Sequence, residues 1–326
     1  MTAGTSALAS ASVLVTVIGE ALIDLIPGEA PRSFTASPAG SPFNAAIGLA
    51  RLGQRTALMA RMSDNAFGHM LRARAAGEGI YLGAAPLSSE PTTLAVISLD
   101  AAGQPSYDFY ADGTADWAWT AAETEMVPPD TAVLHFGSLA SWTPPGDECV
   151  LALAGAMRDR GTVLLSYDPN IRPRLLRDPD RGRRMAERGV RLAHLVKASA
   201  EDVGWLYPRW SAADVARHWL SLGPAAVVIT DSASGADAFT ASGPPLHRPA
   251  RQVTVVDTTG AGDSFASALL CSLIRQGQHA PAELARCTAA DLATALDDAI
   301  IAASLTCQRQ GAEPPTTAEV EAARAG

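Results

Sequence analysis

The residues that promise chemistry lie near the C-terminal end, in the run Val255-Val256-Asp257-Thr258-Thr259-Gly260-Ala261-Gly262-Asp263-Ser264-Phe265. The β-branched pair reads as a strand end and the glycines as a turn. The residues after them read as a helix whose apolar face includes Phe265, Leu269 and Leu273, with Gly277 as its stop. Successive N–H groups at Gly260, Ala261 and Gly262 can converge on an anion, helped by the positive end of the helix dipole. Asp263 needs its own explanation, because a carboxylate beside an anion site repels the ligand unless it has a task there. Accepting a proton from an attacking hydroxyl is such a task, worth about 10²–10⁴-fold in rate. With a phosphate in the anion site the reaction is phosphoryl transfer, which otherwise needs positioning and charge neutralisation from amides and a magnesium ion. The competing reading is structural: Asp263 favours a helix start by about 0.3–1 kcal/mol and the glycines only make a turn. Neither a Walker A sequence nor a GxGxxG is present, so the common nucleotide loops are excluded.

The whole stretch from Asp257 to Phe265 resembles the C-terminal signature of the PfkB (ribokinase-like) carbohydrate kinases. That resemblance implies Asp263 as catalytic base and Gly260, Ala261 and Gly262 as the anion hole for ATP. Ala39-Gly40-Ser41-Pro42-Phe43-Asn44 is similar to the family's N-terminal signature, with Ala39 in place of its first glycine. It implies that Gly40 gives a close backbone approach to the sugar and that Asn44, which can donate and accept, meets its hydroxyls. A helix-opening Asn in an Ala-rich core helix explains the same residues. Gly19-Glu20-Ala21-Leu22-Ile23-Asp24 is similar to the segment ending in the family's sugar-binding aspartate. A carboxylate can take two vicinal hydroxyls, so Asp24 is the first choice for specificity, against a solvated turn acid.

Asp168-Pro169-Asn170-Ile171-Arg172-Pro173 resembles the fructokinase-type Asp-x-Asn-x-Arg segment, which implies Asn170 and Arg172 as substrate-binding residues near the phosphates. Val196 to Asp202 is similar to the strand end that carries the family's Asn-x-x-Glu, acting on Mg²⁺ through water; here Ser199 and Asp202 stand there, with Glu201 able to substitute. A helix cap at Ser199 followed by acids explains those residues without metal. Lys197 on the same strand is counted with ATP. Thr230, Ser232 and Gly235 resemble the nucleotide-edge turn, with Ser232 where the family has glycine, and Gly311 belongs to the closing segment under the adenine. Asp257 and Thr259 match positions that hold a monovalent cation such as K⁺ in some relatives. Phe109 and Tyr110 belong to the sugar lid, but Ala111 and Asp112 follow where many fructokinases have an arginine, so the sugar itself stays open.

These residues need elements to hold them. Val13 to Ile18 reads as a buried first strand, and Pro42 to Leu52 as a helix stopped by Gly53. Leu94 to Leu99 and Ser106 to Tyr110 read as a hairpin around Asp100-Ala101-Ala102-Gly103. Trp117 and Trp119 read as alternate aromatics on a half-buried strand. From about residue 130 short apolar strands (Ala132 to Phe136, Val163 to Tyr167, Leu195 to Val196, Ala225 to Thr230) alternate with helical stretches. That alternation implies a Rossmann-like, mostly parallel α/β sheet with helices on both faces and ligands at the carboxyl ends of the strands. The expected organisation is one ribokinase-like domain over 13–326, a β lid from about 24–40 and 92–112, and a flexible tail over 1–12.

Composition narrows the classes. With 48% hydrophobic and 18% charged residues the chain is globular, and a net charge of −9 argues against non-specific nucleic-acid binding. No apolar run approaches the roughly 20 residues that span a bilayer. Four cysteines without a CxxC pair read as reduced thiols in a cytoplasmic protein, and six scattered histidines, like the missing GxSxG, offer no metal or hydrolase motif. The activity that the family resemblance implies is ATP-dependent transfer to a primary hydroxyl of a small sugar. Fructose leads, with 2-keto-3-deoxygluconate and ribose as alternatives, a nucleoside behind them, and a catalytically silent ligand-binding protein as the rival class. Lid strands need an edge partner, which makes a homodimer through the lid the expected assembly.

Overall fold

The computed structural model describes residues 13–28, 30, 32–99, 105–241 and 243–325. The expected tail over 1–12 and the hairpin turn over 100–103 lie outside them. Eight strands form the main sheet: β1 (Leu14–Ile18), β4 (Arg55–Met59), β9 (Thr131–Gly137), β10 (Leu164–Asp168), β11 (Leu195–Ser199), β12 (Ala226–Asp231), β13 (Gly235–Thr240) and β14 (Leu246–Arg248). Their order is β14-β13-β12-β11-β10-β9-β1-β4, parallel from β4 to β12, with β13 and β14 added antiparallel at one edge. Strands β1 and β10 are buried at every residue, because helices cover both faces and leave no polar side for alternation to serve.

Chain direction through the sheet reverses between β1 and β9, which are neighbours although the chain visits β4 between them. Loops leaving the carboxyl ends at such a switch point diverge and open a cleft. The loops of β1, β9, β10 and β11 carry Glu20, Ser138, Asp168 to Arg172, and Ser199 to Asp202 respectively.

A second sheet, β3-β2-β7-β8, comprises β2 (Leu22–Pro27), β3 (Phe34–Ala39), β7 (Leu94–Leu99) and β8 (Pro105–Tyr110). It is the expected lid. The hairpin register runs from Leu94↔Tyr110 to Leu99↔Pro105, and β2 pairs in parallel with β7. A two-strand pair, β5 (Met62–Ser63) with β6 (Leu87–Ser88), lies apart from both sheets.

Two expectations are corrected. Val255 and Val256 are not a strand end: they pair with no strand of the main sheet, they are 58% and 61% exposed, and the Val256 amide is instead held, at 2.8 Å, by the Cys307 carbonyl at the end of a helix. Trp117 and Trp119 do not alternate on a strand. Trp117 ends a 3₁₀ turn (Ala115–Trp117), and both rings are buried in the cluster around Phe136 and Trp142. Burial of a large ring outweighs the local alternation from which a strand was read.

Candidate active site

The turn before the helix Ala261–Arg275 has the geometry an anion requires. Gly260 is in the left-handed region (φ 74), and a Cβ there would lie 2.5 Å from that of Ala312, so only glycine fits. The amides of Gly260 and Gly262 have no acceptor among the described residues, as expected of helix-opening donors. Ala261 differs: its amide turns back to the Thr258 carbonyl at 3.2 Å, so the expected three-amide ring has two open members.

Asp263 follows in the first turn of the helix. Its Oδ1 accepts from Ser41 Oγ at 2.7 Å and its Oδ2 from Asn44 Nδ2 at 2.9 Å. Burial pushes its pKa up, and the Ser41 and Asn44 hydrogen bonds with the Lys197 charge work against that rise. Two donors on one helix (Ser41–Arg51) thus fix the plane of the carboxylate. The Asn44 amide, expected on the sugar, is bonded to the base. Gly40 caps the same helix at φ 115, and a Cβ would lie 2.7 Å from the Glu20 carbonyl, so the fold alone already demands glycine there.

Beneath the turn is a buried ion pair that motif reading left half assigned. Lys197 Nζ donates to Asp168 Oδ2 at 2.9 Å, with both side chains over nine-tenths buried. Burial alone would lower the lysine's pKa, but Asp168 outweighs it, with Asp202 and Asp263 adding, so the ammonium stays charged. A Cβ on Gly262 would sit 3.1 Å from that Nζ, which puts a fixed positive charge beside this end of the turn.

On the lid side, Asp24 lies on β2, and burial raises its pKa to about 6 against the opposing Arg172 guanidinium. Arg172 Nη1 donates to Asn170 Oδ1 at 2.8 Å and to the Ile171 carbonyl at 3.0 Å. Past the left-handed turn at Asn170 (φ 39), the Arg172 guanidinium acts on both Asp24 and Tyr107. Tyr107 and Phe109, two apart on β8, share a face of the lid and stack at 6.3 Å. Tyr107 also comes within reach of the Thr259 hydroxyl, joining the lid to the anion turn. Tyr107, Ser41, Asp168 and Glu20 are residues that motif reading did not assign. Alternation with Phe109 is the signal that points to Tyr107.

The residues expected around nucleotide and cation are held mostly by the fold itself. Ser232 has φ 36, a left-handed conformation that accounts for the glycine expected there, while Thr230, one residue before the end of β12, has its hydroxyl 3.4 Å from the Ala198 carbonyl. Gly235 (φ 107) packs on the Arg248 carbonyl, which a Cβ would meet at 2.0 Å. Asp257 Oδ1 accepts from the Thr259 amide and hydroxyl at 2.9 and 2.7 Å, and Oδ2 from the Gly311 amide at 2.8 Å. Burial would raise the Asp257 pKa, but these bonds hold it below the usual carboxylate range. Asp202 forms a capping box with Ser199, and its Oδ1 also accepts the Ile171 amide at 2.9 Å; Glu201 is exposed. The capping reading thus accounts for Asp202, and no group of three or more ligating side chains forms a metal cluster among the described residues.

Residues 13–319 match the model of the pfkB family carbohydrate kinases. A fructokinase from Rhizobium leguminosarum bv. trifolii is 34% identical over 263 residues, 80% of this chain and 79% of the relative. A crystal structure of fructokinase from Xylella fastidiosa with bound ATP superposes with a TM-score of 0.87 at 25% identity, covering 95% of this chain and 97% of that one. The fructokinase of Vibrio cholerae O395, in its fructose, ADP and calcium ion bound form, gives 0.83 at 26% identity, covering 95% and 98%. With the family model spanning almost all of the described chain, this protein belongs to the pfkB family of carbohydrate kinases.

Proposed function

We propose that the protein transfers the γ-phosphoryl group of ATP to a primary hydroxyl of fructose, with Asp263 as general base. The observation that carries this reading is one juxtaposition. The Asp263 carboxylate, fixed by Ser41 and Asn44, adjoins the open amides of Gly260 and Gly262 and the Lys197 ammonium. The sugar hydroxyl gives its proton to Asp263 as its oxygen bonds to the γ-phosphorus. The bond to the β-phosphate oxygen breaks, and ADP leaves with that electron pair. Amides and ammonium meet the negative charge on the transferring group. Asp24 and Arg172 hold the sugar from the lid side, and Tyr107 closes over it.

Magnesium fits as part of the nucleotide complex. Asp202 gives one acceptor direction on each oxygen to a backbone amide, so Asp202 and the exposed Glu201 would hold the ion through water. It supplies charge neutralisation on the phosphate oxygens when bound. The resemblance assigns a monovalent cation to Asp257 and Thr259, and a Vibrio cholerae fructokinase double mutant has been solved in a fructose, ADP and potassium ion bound form. A cytoplasmic location accords with four unpaired cysteines, and no helix among the described residues is long and apolar enough to cross a membrane.

The test is an ADP-release screen over fructose, 2-keto-3-deoxygluconate, ribose and nucleosides, run beside Asp263→Asn. Fructose is expected to give the highest kcat/KM. The variant should lose about 10²–10⁴-fold in kcat with ATP affinity nearly unchanged. Turnover of Asp263→Asn at the wild-type rate would remove the base, and no sugar-dependent ADP release would remove the function.

A further inference from the structure

Three adjacent strands, β10, β9 and β1, end side by side at the cleft floor, and each contributes one link to a chain of polar side chains. At its lid end Arg172 Nη1 donates to Asn170 Oδ1 at 2.8 Å. Asn170 Nδ2 donates to Ser138 Oγ, also at 2.8 Å. The Ser138 hydroxyl in turn lies close enough to the Glu20 carboxyl to work against the rise in its pKa, though the two make no hydrogen bond of ordinary geometry. Glu20 is fully buried, its Oε2 accepts the Ala140 amide at 3.3 Å, and its Oε1 has no partner at ordinary hydrogen-bond geometry among the described residues.

Two of these links are in backbone conformations that side-chain-bearing residues avoid: Ser138 at φ 52 and Asn170 at φ 39. Such conformations persist where surrounding contacts over-determine them, and they gather at ligand clamps. Here the Ser138 amide is held by the Asp168 carbonyl at 2.8 Å and the Asn170 amide by Asp168 Oδ1 at 3.0 Å.

The chain also has a direction. An amide side chain can flip, and Asn170 meets Arg172 with its oxygen only while its nitrogen has an acceptor at the other end. Ser138 Oγ is that acceptor, which leaves its own hydrogen for a further acceptor, and the buried Glu20 carboxyl beside it has an oxygen without a partner. We propose that Glu20 is a positioning residue: as the terminal acceptor it orients Ser138 and Asn170, and through them holds Arg172 beside Asp24 in the sugar subsite. The inference rests on the sugar-kinase reading of the cleft and adds a determinant of sugar affinity that never touches the sugar.

The experiment measures KM for fructose and for ATP separately in Glu20→Leu, Glu20→Gln and Ser138→Ala. Glu20→Leu removes the acceptor and is expected to raise the fructose KM about 10-fold or more, with the ATP KM within about 2-fold. Glu20→Gln, whose amide oxygen still accepts, should recover most of that loss. Ser138→Ala should shift the fructose KM in the same direction, and adding Glu20→Leu to it should cost little more, as for members of one network. An unchanged fructose KM in Glu20→Leu or in Ser138→Ala would overturn the proposal, as would an equal rise in both KM values. Where Glu20→Leu does not fold, Ser138→Ala decides alone by the same criteria. If the wild-type enzyme accepts no fructose, it is the substrate assignment that fails, and the same comparison with the sugar it does accept still decides the role of Glu20.

Discussion

The Lys197 ammonium has two duties that a single substitution confuses. It neutralises Asp168 in a buried pair, and it lies beside the turn whose amides would receive phosphate. Removing one partner of a buried pair strands the other charge, at a cost of about 3–5 kcal/mol. Lys197→Met is therefore expected to lose stability in a denaturant melt and also about 10²-fold in kcat. Adding Asp168→Asn removes the stranded charge and should recover stability while leaving the rate low. Recovery of the rate along with stability would mean that the ammonium serves only the fold.

At the scale of elements the lid is the part with unfinished edges. Its sheet ends at β3 and β8, and Phe34 on the first and Tyr110 on the second are 53% and 64% exposed. Open edges with exposed aromatics are what a homodimer through the lid would cover, and we propose that assembly. Light scattering at micromolar concentration should give twice the chain mass, and Phe34→Lys with Tyr110→Lys should return it to one; a single-chain mass for the unmodified protein would refute the assembly. The lid was legible from β-branched and aromatic alternation and from turn residues between its strands. The antiparallel β13 and β14 were not, because edge strands of three and six residues with mixed burial give little periodic signal. Motifs pointed to the acids and glycines of the cleft. They did not reveal that Gly40 and Gly235 answer to backbone carbonyls, or that Asn44 binds Asp263, since such contacts join residues remote in sequence.

For the molecule as a whole, the two fully buried acids at the lid junction set a pH dependence. Burial raises Glu20 to about 7 and Asp116 to about 6. A carboxyl raised in the folded state contributes stability that is complete below its unfolded pKa and is lost as pH rises through the folded one. For Glu20 that window runs from 4.5 to about 7 and corresponds to on the order of 3 kcal/mol. Glu20→Gln, which cannot ionise, should gain stability over the parent at pH 8 and little at pH 4. Equal differences at the two pH values would show that Glu20 is not held neutral by the fold.

The bond between Ser41 and Asp263 spans 222 residues of sequence. Synthesis proceeds from the N-terminal end, so the helix that orients the base emerges long before the base itself. The carboxylate of Asp263 and the two side chains that fix its plane therefore come together only when the last third of the polypeptide docks against the first.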